Sequence, residues 1–265
     1  MIISVYTVVF IYGLIIGSFL NVCIYRIPRE ESIVSPPSHC PNCGTRLKPF
    51  DLVPLLSYLI TGGKCRYCGM KISPRYFSVE LLTGVVSLAL FYKYGLTVDF
   101  VAFIFLTYIL IAVFFIDFDH QIIPDELVIA GMIGGAMLFV YNLYLPFQIF
   151  ADHRWWNPLL GMVLGSGFLL AVSLIGLALY KGEEVMGMGD VKLFAPIGLF
   201  LGWKMTLLAL FISVILGGMS SLVLMLLGKA NRKSMIPFGP FIVTGVFITI
   251  MFGWDLLNWY LSTYL

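Results

Sequence analysis

Eight apolar runs dominate this chain, at about residues 2–24, 77–95, 100–117, 124–145, 158–180, 191–203, 205–228 and 237–264. A helix needs about 20 apolar residues to cross the hydrocarbon of a bilayer. Lipid offers no partner to a free backbone N–H or C=O, so runs of this length can only be helices or closed barrels. Strict alternation is absent from them, which leaves an all-α polytopic membrane protein of about eight transmembrane helices. Composition agrees: 11% of the residues are charged, against about 25% in soluble domains. The sixth run is short, and Gly202-Trp203-Lys204 alone separates it from the seventh. That pair reads as a hairpin.

The first run has no basic flank and no small-residue cleavage site after it, so it reads as a retained helix and not as a signal peptide. With the N-terminus placed outside, thirteen of the 16 Lys and Arg residues fall in or beside the loops 25–76, 118–123, 181–190 and 229–236. Lys93, Arg154 and Lys204 fall on the other side. The positive-inside rule therefore puts those loops in the cytoplasm. The basic residues are not massed on one module, which excludes a nucleic-acid-binding footprint. Gly131-x-x-x-Gly135 and Gly161-x-x-x-Gly165 are spaced for close helix packing in lipid.

The chain divides into a first helix at 1–24, a polar loop at 25–76 and a transmembrane core at 77–265. The loop carries Cys40-Pro-Asn-Cys43-Gly and, 21 residues later, Cys65-Arg-Tyr-Cys68-Gly. Two such knuckles suit a tetrahedral four-thiolate zinc site. Four protein ligands leave no position for a catalytic water, so the expected metal is structural. A redox dithiol pair and an iron–sulfur cluster are the alternatives. His39 adjoins Cys40 and reads as a solvated loop residue. Cys23, alone in an apolar run, reads as a small buried hydrophobe.

Four acids lie between Asp117 and Glu126 at one membrane face. Asp125 follows Pro124 and precedes an apolar run, which is first-turn or N-cap chemistry. Glu126 reads the same way, and Asp119 and His120 belong to the loop. Asp117 differs, because it continues the register of its span between Ile116 and Phe118. Asp190 opens the sixth span after Gly187 and Gly189, residues that allow close backbone approach. A helix N-cap is the plain alternative for Asp190. If the two aspartates approach each other, they cannot both ionise easily; the pair holds one proton and can activate water. That is aspartyl-protease chemistry. The sequence has no His-Glu-x-x-His helix and no Gly-x-Ser-x-Gly elbow, and only three histidines.

These residues carry a family resemblance over nearly the whole chain. Gly17-Ser18-Phe19-Leu20-Asn21-Val22 with Arg26 and Pro28, both cysteine knuckles, Pro54-Leu55-Leu56-Ser57-Tyr58-Leu59 and Gly62-Gly63-Lys64-Cys65 resemble the bifunctional type IV prepilin peptidases. So do Arg75-Tyr76 with Val79-Glu80-Leu81, Ile116-Asp117 with Ile123-Pro124-Asp125, Glu184 with Met186-Gly187-Met188-Gly189-Asp190, and Ile236-Pro237-Phe238-Gly239-Pro240. The resemblance implies Asp117 and Asp190 as a catalytic dyad of the Gly-x-Gly-Asp type. It implies cleavage of the basic leader of type IV prepilins or type II secretion pseudopilins after a glycine, at the cytoplasmic face of the bacterial inner membrane. It further implies N-methylation of the new terminus with S-adenosylmethionine, the 25–76 loop being associated with methyl transfer. No Gly-x-Gly-x-x-Gly element follows a strand, so the donor site must be unconventional. Glu80, Gly62 and Gly63 are its candidates, with a helix-start acid and a plain turn as the alternatives. Gly187, Gly189 and Glu184 are candidates for substrate approach.

Three other readings compete. A peptidase without methylation keeps only the dyad. An ion-coupled transporter requires an acid deep in the bilayer and, in many folds, inverted repeats. A zinc-loop assembly factor requires no dyad at all.

Overall fold

The computed structural model describes residues 2–145, 147–150, 154–179, 187–229 and 236–264. Seven of its helices are long and apolar enough to cross a membrane, and among the described residues there is no strand, only two isolated bridges. The chain forms two compact units, 1–100 and 101–265.

In the first unit α1 (Ile2–Arg26) and α3 (Pro74–Tyr94) pack antiparallel. Their seam is built from residues small enough to let the backbones meet. A Cβ on Gly13 would strike Gly84 and Ser87, and one on Gly17 would lie 2.7 Å from Glu80 Cα. Thr83 and Ser87 return their hydroxyls to Val79 and Thr83 carbonyls at 2.7 and 2.6 Å, so their buried oxygens are satisfied within the helix. Close approach and internal hydrogen bonding are what hold helices together where lipid removes the hydrophobic force. Ser73 caps α3 and Pro74 occupies its first turn, a standard start. Between the two helices lie a 3-10 turn at Pro49–Leu52, the short α2 (Leu56–Ile60) and the cysteine knuckles.

The second unit contains α4 (Val98–His120, whose first turn belongs to the first unit), α5 (Asp125–Tyr144), α6 (Asn157–Leu179), α7 (Met188–Leu226) and α8 (Gly239–Tyr264). The two glycine pairs expected to pack do so. Gly131 and Gly135 of α5 face Pro196 and Leu199, while Gly161 of α6 meets Gly198 backbone to backbone.

The 39-residue α7 is broken at Gly202, where φ is 68° and ψ is 172°. Its halves fold back on each other: Phe194 before the break and Thr206 after it both lie against Gly165. Asn157 stabilises the bend by accepting the Trp203 N–H at 3.0 Å. The sixth and seventh expected spans are thus two helical arms that meet at the non-helical Gly202, as the expected hairpin, and counting the arms separately gives about eight apolar passes.

Candidate active site and metal centre

Asp117 lies near the end of α4 and Asp190 in the first turn of α7, and they are 5% and 8% exposed. Ile123, three residues past the end of α4, lies against Gly189 beside Asp190, which brings the two helix ends together. Asp190 is not an N-cap. Gly187 holds that position, with no side-chain cap, and Asp190 is the third helical residue. The Asp190 N–H instead bonds the Gly187 carbonyl at 3.1 Å.

Asp117 Oδ2 accepts the Gly239 N–H at 2.9 Å. A Cβ on Gly239 would lie 2.6 Å from that oxygen, so only glycine lets the start of α8 come this near. Gly239 was quoted in the sequence only as part of a motif. Its partner is 122 positions away, and no local signal joins them.

Gly189 also has a steric reason, because a Cβ there would lie 3.0 Å from Ile123 Cβ. Gly187 has none of that strength: its nearest neighbour is Asp190 Oδ2 at 3.4 Å. Glu184 lies outside the described residues. Lys192, two residues after Asp190, is paired with Asp125 at 2.8 Å. Asp125 follows the N-cap Pro124 in the first turn of α5, as expected.

The four cysteines converge. All four Sγ atoms lie within 4.8 Å of one another, and Cys40 and Cys68 are 3.8 Å apart. A tetrahedron with Zn–S bonds of about 2.3 Å has edges of about 3.8 Å, so this donor set fits zinc. The two knuckles repeat one design. Gly44 N–H bonds Cys40 O at 2.9 Å and Gly69 N–H bonds Cys65 O at 2.8 Å. Both glycines are left-handed, at φ 67° and 73°, which a side chain would resist. Backbone amides of Tyr67 and Cys68 face the Cys65 sulfur and hold its pKa below the usual thiol range. The Thr45 hydroxyl and amide push Cys43 down to about 6. His39 is not in the cluster, and its Nδ1 lies 3.1 Å from the Pro37 carbonyl.

Asp51 ties the 3-10 turn to the second knuckle, accepting from Arg66 Nε at 2.9 Å and Tyr67 Oη at 2.8 Å. Desolvation opposes its charge. The bonds from Tyr67, the Lys48 N–H and Arg66 outweigh that and hold the carboxyl below its ordinary range.

Glu80 is buried on the α1–α3 seam, where its Oε2 accepts the Leu55 N–H at 2.8 Å. Leu55 has φ 59°, a strained angle for a branched residue, and Glu80 anchors it. Asn21, one turn along α1 from Gly17, donates Nδ2 to the Tyr76 carbonyl at 3.0 Å. Its Oδ1 is buried without a partner among the described residues, a situation that costs roughly 1–3 kcal/mol. Gly62 and Gly63 form a left-handed turn at φ 61° and 67°. Gly63 exchanges backbone bonds with Tyr58 and Ile72, which positions the second knuckle.

The comparisons with known proteins follow this division. Residues 11–94 match the bacterial peptidase A24 N-terminal domain, and residues 104–222 match the type IV leader peptidase family. Similar chains include a protein of Aeromonas hydrophila, 33% identical over 98% of this chain and 95% of its own. One of Pseudomonas aeruginosa (strain PAO1) is 32% identical over 94% and 91%. One of Bacillus subtilis (strain 168) is 34% identical over 97% and 98%. Each is named a prepilin leader peptidase/N-methyltransferase. No solved structure matches. With two buried aspartates in one helical unit, four converging cysteines in the other and relatives aligned end to end, the chain belongs to the type IV leader peptidase family.

Proposed function

We propose that this multi-pass membrane protein cleaves the basic leader of type IV prepilins or type II secretion pseudopilins after glycine, with Asp117 and Asp190 as the dyad. The observation that carries the reading is a pair of buried carboxylates at two helix ends that the Ile123–Gly189 approach brings together. Two such groups hold one proton between them. Asp117 Oδ2 already accepts an N–H, which suits it to take the proton from water. Asp190 then polarises the scissile carbonyl, water adds to its carbon, and the leaving nitrogen takes a proton as the C–N bond breaks. The flanking residues Gly187 and Gly189, with Glu184, would border the substrate's path.

The second activity is N-methylation of the new terminus with S-adenosylmethionine. Its support is the relatives' names and a cavity of about 550 Å³ in the first unit, lined by Arg26, Arg29, Lys64, Tyr25, Tyr58 and Glu80 among others. That volume suits a ligand of this size, and cations and aromatic rings suit a donor with a carboxylate and a purine. Zinc at Cys40, Cys43, Cys65 and Cys68 would fold the loop that forms the cavity wall. The excess of basic residues in and beside these loops supports a cytoplasmic location of the dyad and this loop.

Mass spectrometry of a prepilin incubated with the purified enzyme, with and without S-adenosylmethionine, reports both activities. Cleavage is expected in both samples and a 14-dalton-class mass shift, about one methyl group, only with the donor. Asp117→Asn and Asp190→Asn should each lower cleavage by roughly 10²–10⁴-fold, the range for losing an acid–base group. Full cleavage by either variant would sink the dyad.

A further inference from the structure

Methyl transfer to an amine sets a chemical requirement that the proposed function leaves open. The amine arrives as an ammonium and must give up one proton, with its other N–H groups held and its lone pair free. A carboxylate can take the proton and hydrogen-bond acceptors can hold the N–H groups; donors do neither. The cavity in the first unit is rich in cations, which repel an ammonium, and two of its acids are placed elsewhere: Asp51 is taken by Arg66 and Tyr67, and Glu31 is exposed on the loop. Two other lining residues are different. Glu80 is a carboxylate buried on α3, and Asn21 is 3% exposed on α1. The Tyr76 carbonyl takes the Asn21 Nδ2 hydrogen. That fixes the amide's orientation and leaves Oδ1 as an acceptor with nothing to accept.

The two residues are brought together by the helix seam. Gly17 lies against Glu80, the helices are antiparallel, and Asn21 bonds to Tyr76. Asn21 is one turn after Gly17 and Tyr76 is one turn before Glu80. The acceptors therefore stand about one helical turn apart, about 5.4 Å along the seam. Both sit on the apolar helices and not on the polar loop. A cleaved pilin presents its amine on the end of an apolar helix, so its approach is at that level. The cations of the loop are placed for a donor's carboxylate.

We infer that Asn21 and Glu80 hold the free α-amine created by leader cleavage, Asn21 Oδ1 and the Glu80 carboxylate accepting its N–H groups. This assignment rests on the methyl-transfer reading above. In the reaction the Glu80 carboxylate takes one proton from the incoming ammonium, the lone pair so freed forms the new N–C bond as the donor's C–S bond breaks with its electron pair left on sulfur, and the product leaves as the N-methylammonium.

The test uses the full-length enzyme and a prepilin substrate, comparing wild type with Asn21→Ala, Glu80→Gln and Glu80→Asp. The methylated fraction of the cleaved product is read by mass spectrometry, S-adenosylmethionine affinity by calorimetry, and folding by zinc content. Glu80→Gln should lower the methylated fraction by roughly 100-fold, as for loss of a proton acceptor. Asn21→Ala should lower it about tenfold, as for loss of one hydrogen bond. Glu80→Asp keeps the charge and should recover part of the loss. Donor affinity and zinc content should match wild type. The Glu80→Gln rate should also climb toward alkaline pH, as the amine, with an ordinary pKa of about 7.7–8.0, becomes neutral by itself. An unchanged methylated fraction would overturn the assignment. So would a loss matched by weakened donor binding, because the pair would then hold the donor. If the wild-type enzyme itself yields only unmethylated product, the methyl-transfer reading fails, and it fails independently of these variants.

Discussion

Asp117 shows how a backbone group on another helix tunes a side chain's position. Its Oδ2 is held by the Gly239 N–H, and Gly239 has no room for a methyl group. Gly239→Ala should push the carboxylate aside and lower kcat for leader cleavage by about 10²-fold, the effect of misplacing a reacting group by about 1 Å. A cleavage assay on folded, zinc-loaded protein would check it. The burial of Asp117 and Asp190 at helix ends was legible in the sequence, because a carboxylate at the mouth of an apolar helix is costly and so demands a reason. Gly239 and Asn21 were not. A glycine is ambiguous until its neighbour is known, and an asparagine in an apolar run reads as polar glue for helix packing.

The hairpin of α7 depends on one residue. At φ 68° Gly202 adopts an angle that costs other residues energy, and a Cβ there would meet the Asn157 side chain and, at 2.8 Å, Phe150. Gly202→Ala should destabilise the protein by about 2–4 kcal/mol from strain and overpacking together. Asn157→Ala should cost about 1–3 kcal/mol by leaving the Trp203 N–H unpaired. Equilibrium unfolding in detergent would measure both. The two runs with a three-residue join show the hairpin in the sequence, but that Gly202 makes the turn depends on backbone angles that hydropathy does not encode. The knuckles were read in full, since Cys-x-x-Cys-Gly specifies its own local turn. Cys40→Ser should remove bound zinc and open the 25–76 loop to trypsin, as metal stoichiometry and a proteolysis time course would report. Retained zinc would contradict the four-ligand site.

At the scale of the whole molecule, two units carry two matched domains, and the boundary near residue 100 falls between the matches ending at 94 and starting at 104. Zinc contributes about 10–16 kcal/mol to folding in small thiolate sites, and here all four ligands belong to the first unit. Chelation verified by metal analysis should therefore abolish methylation while leader cleavage continues, read on the same product by mass spectrometry. Loss of both together would show that the metal supports the peptidase as well. The bend at Gly202 has a consequence for depth. Trp203, Lys204 and Trp254 gather beside it, as residues do at a bilayer's interface. From there to Asp190 is about 18 Å of helix. The descending half gives a second ruler: Gly217, which faces Phe238 and Phe241 at the start of α8, lies about 22 Å below the bend. A hydrocarbon layer is about 30 Å thick. A bend at that interface would set Asp190 about 10 Å beneath the opposite lipid surface, and hydrolysis by the proposed pair would then require a well of water that dips below the headgroups.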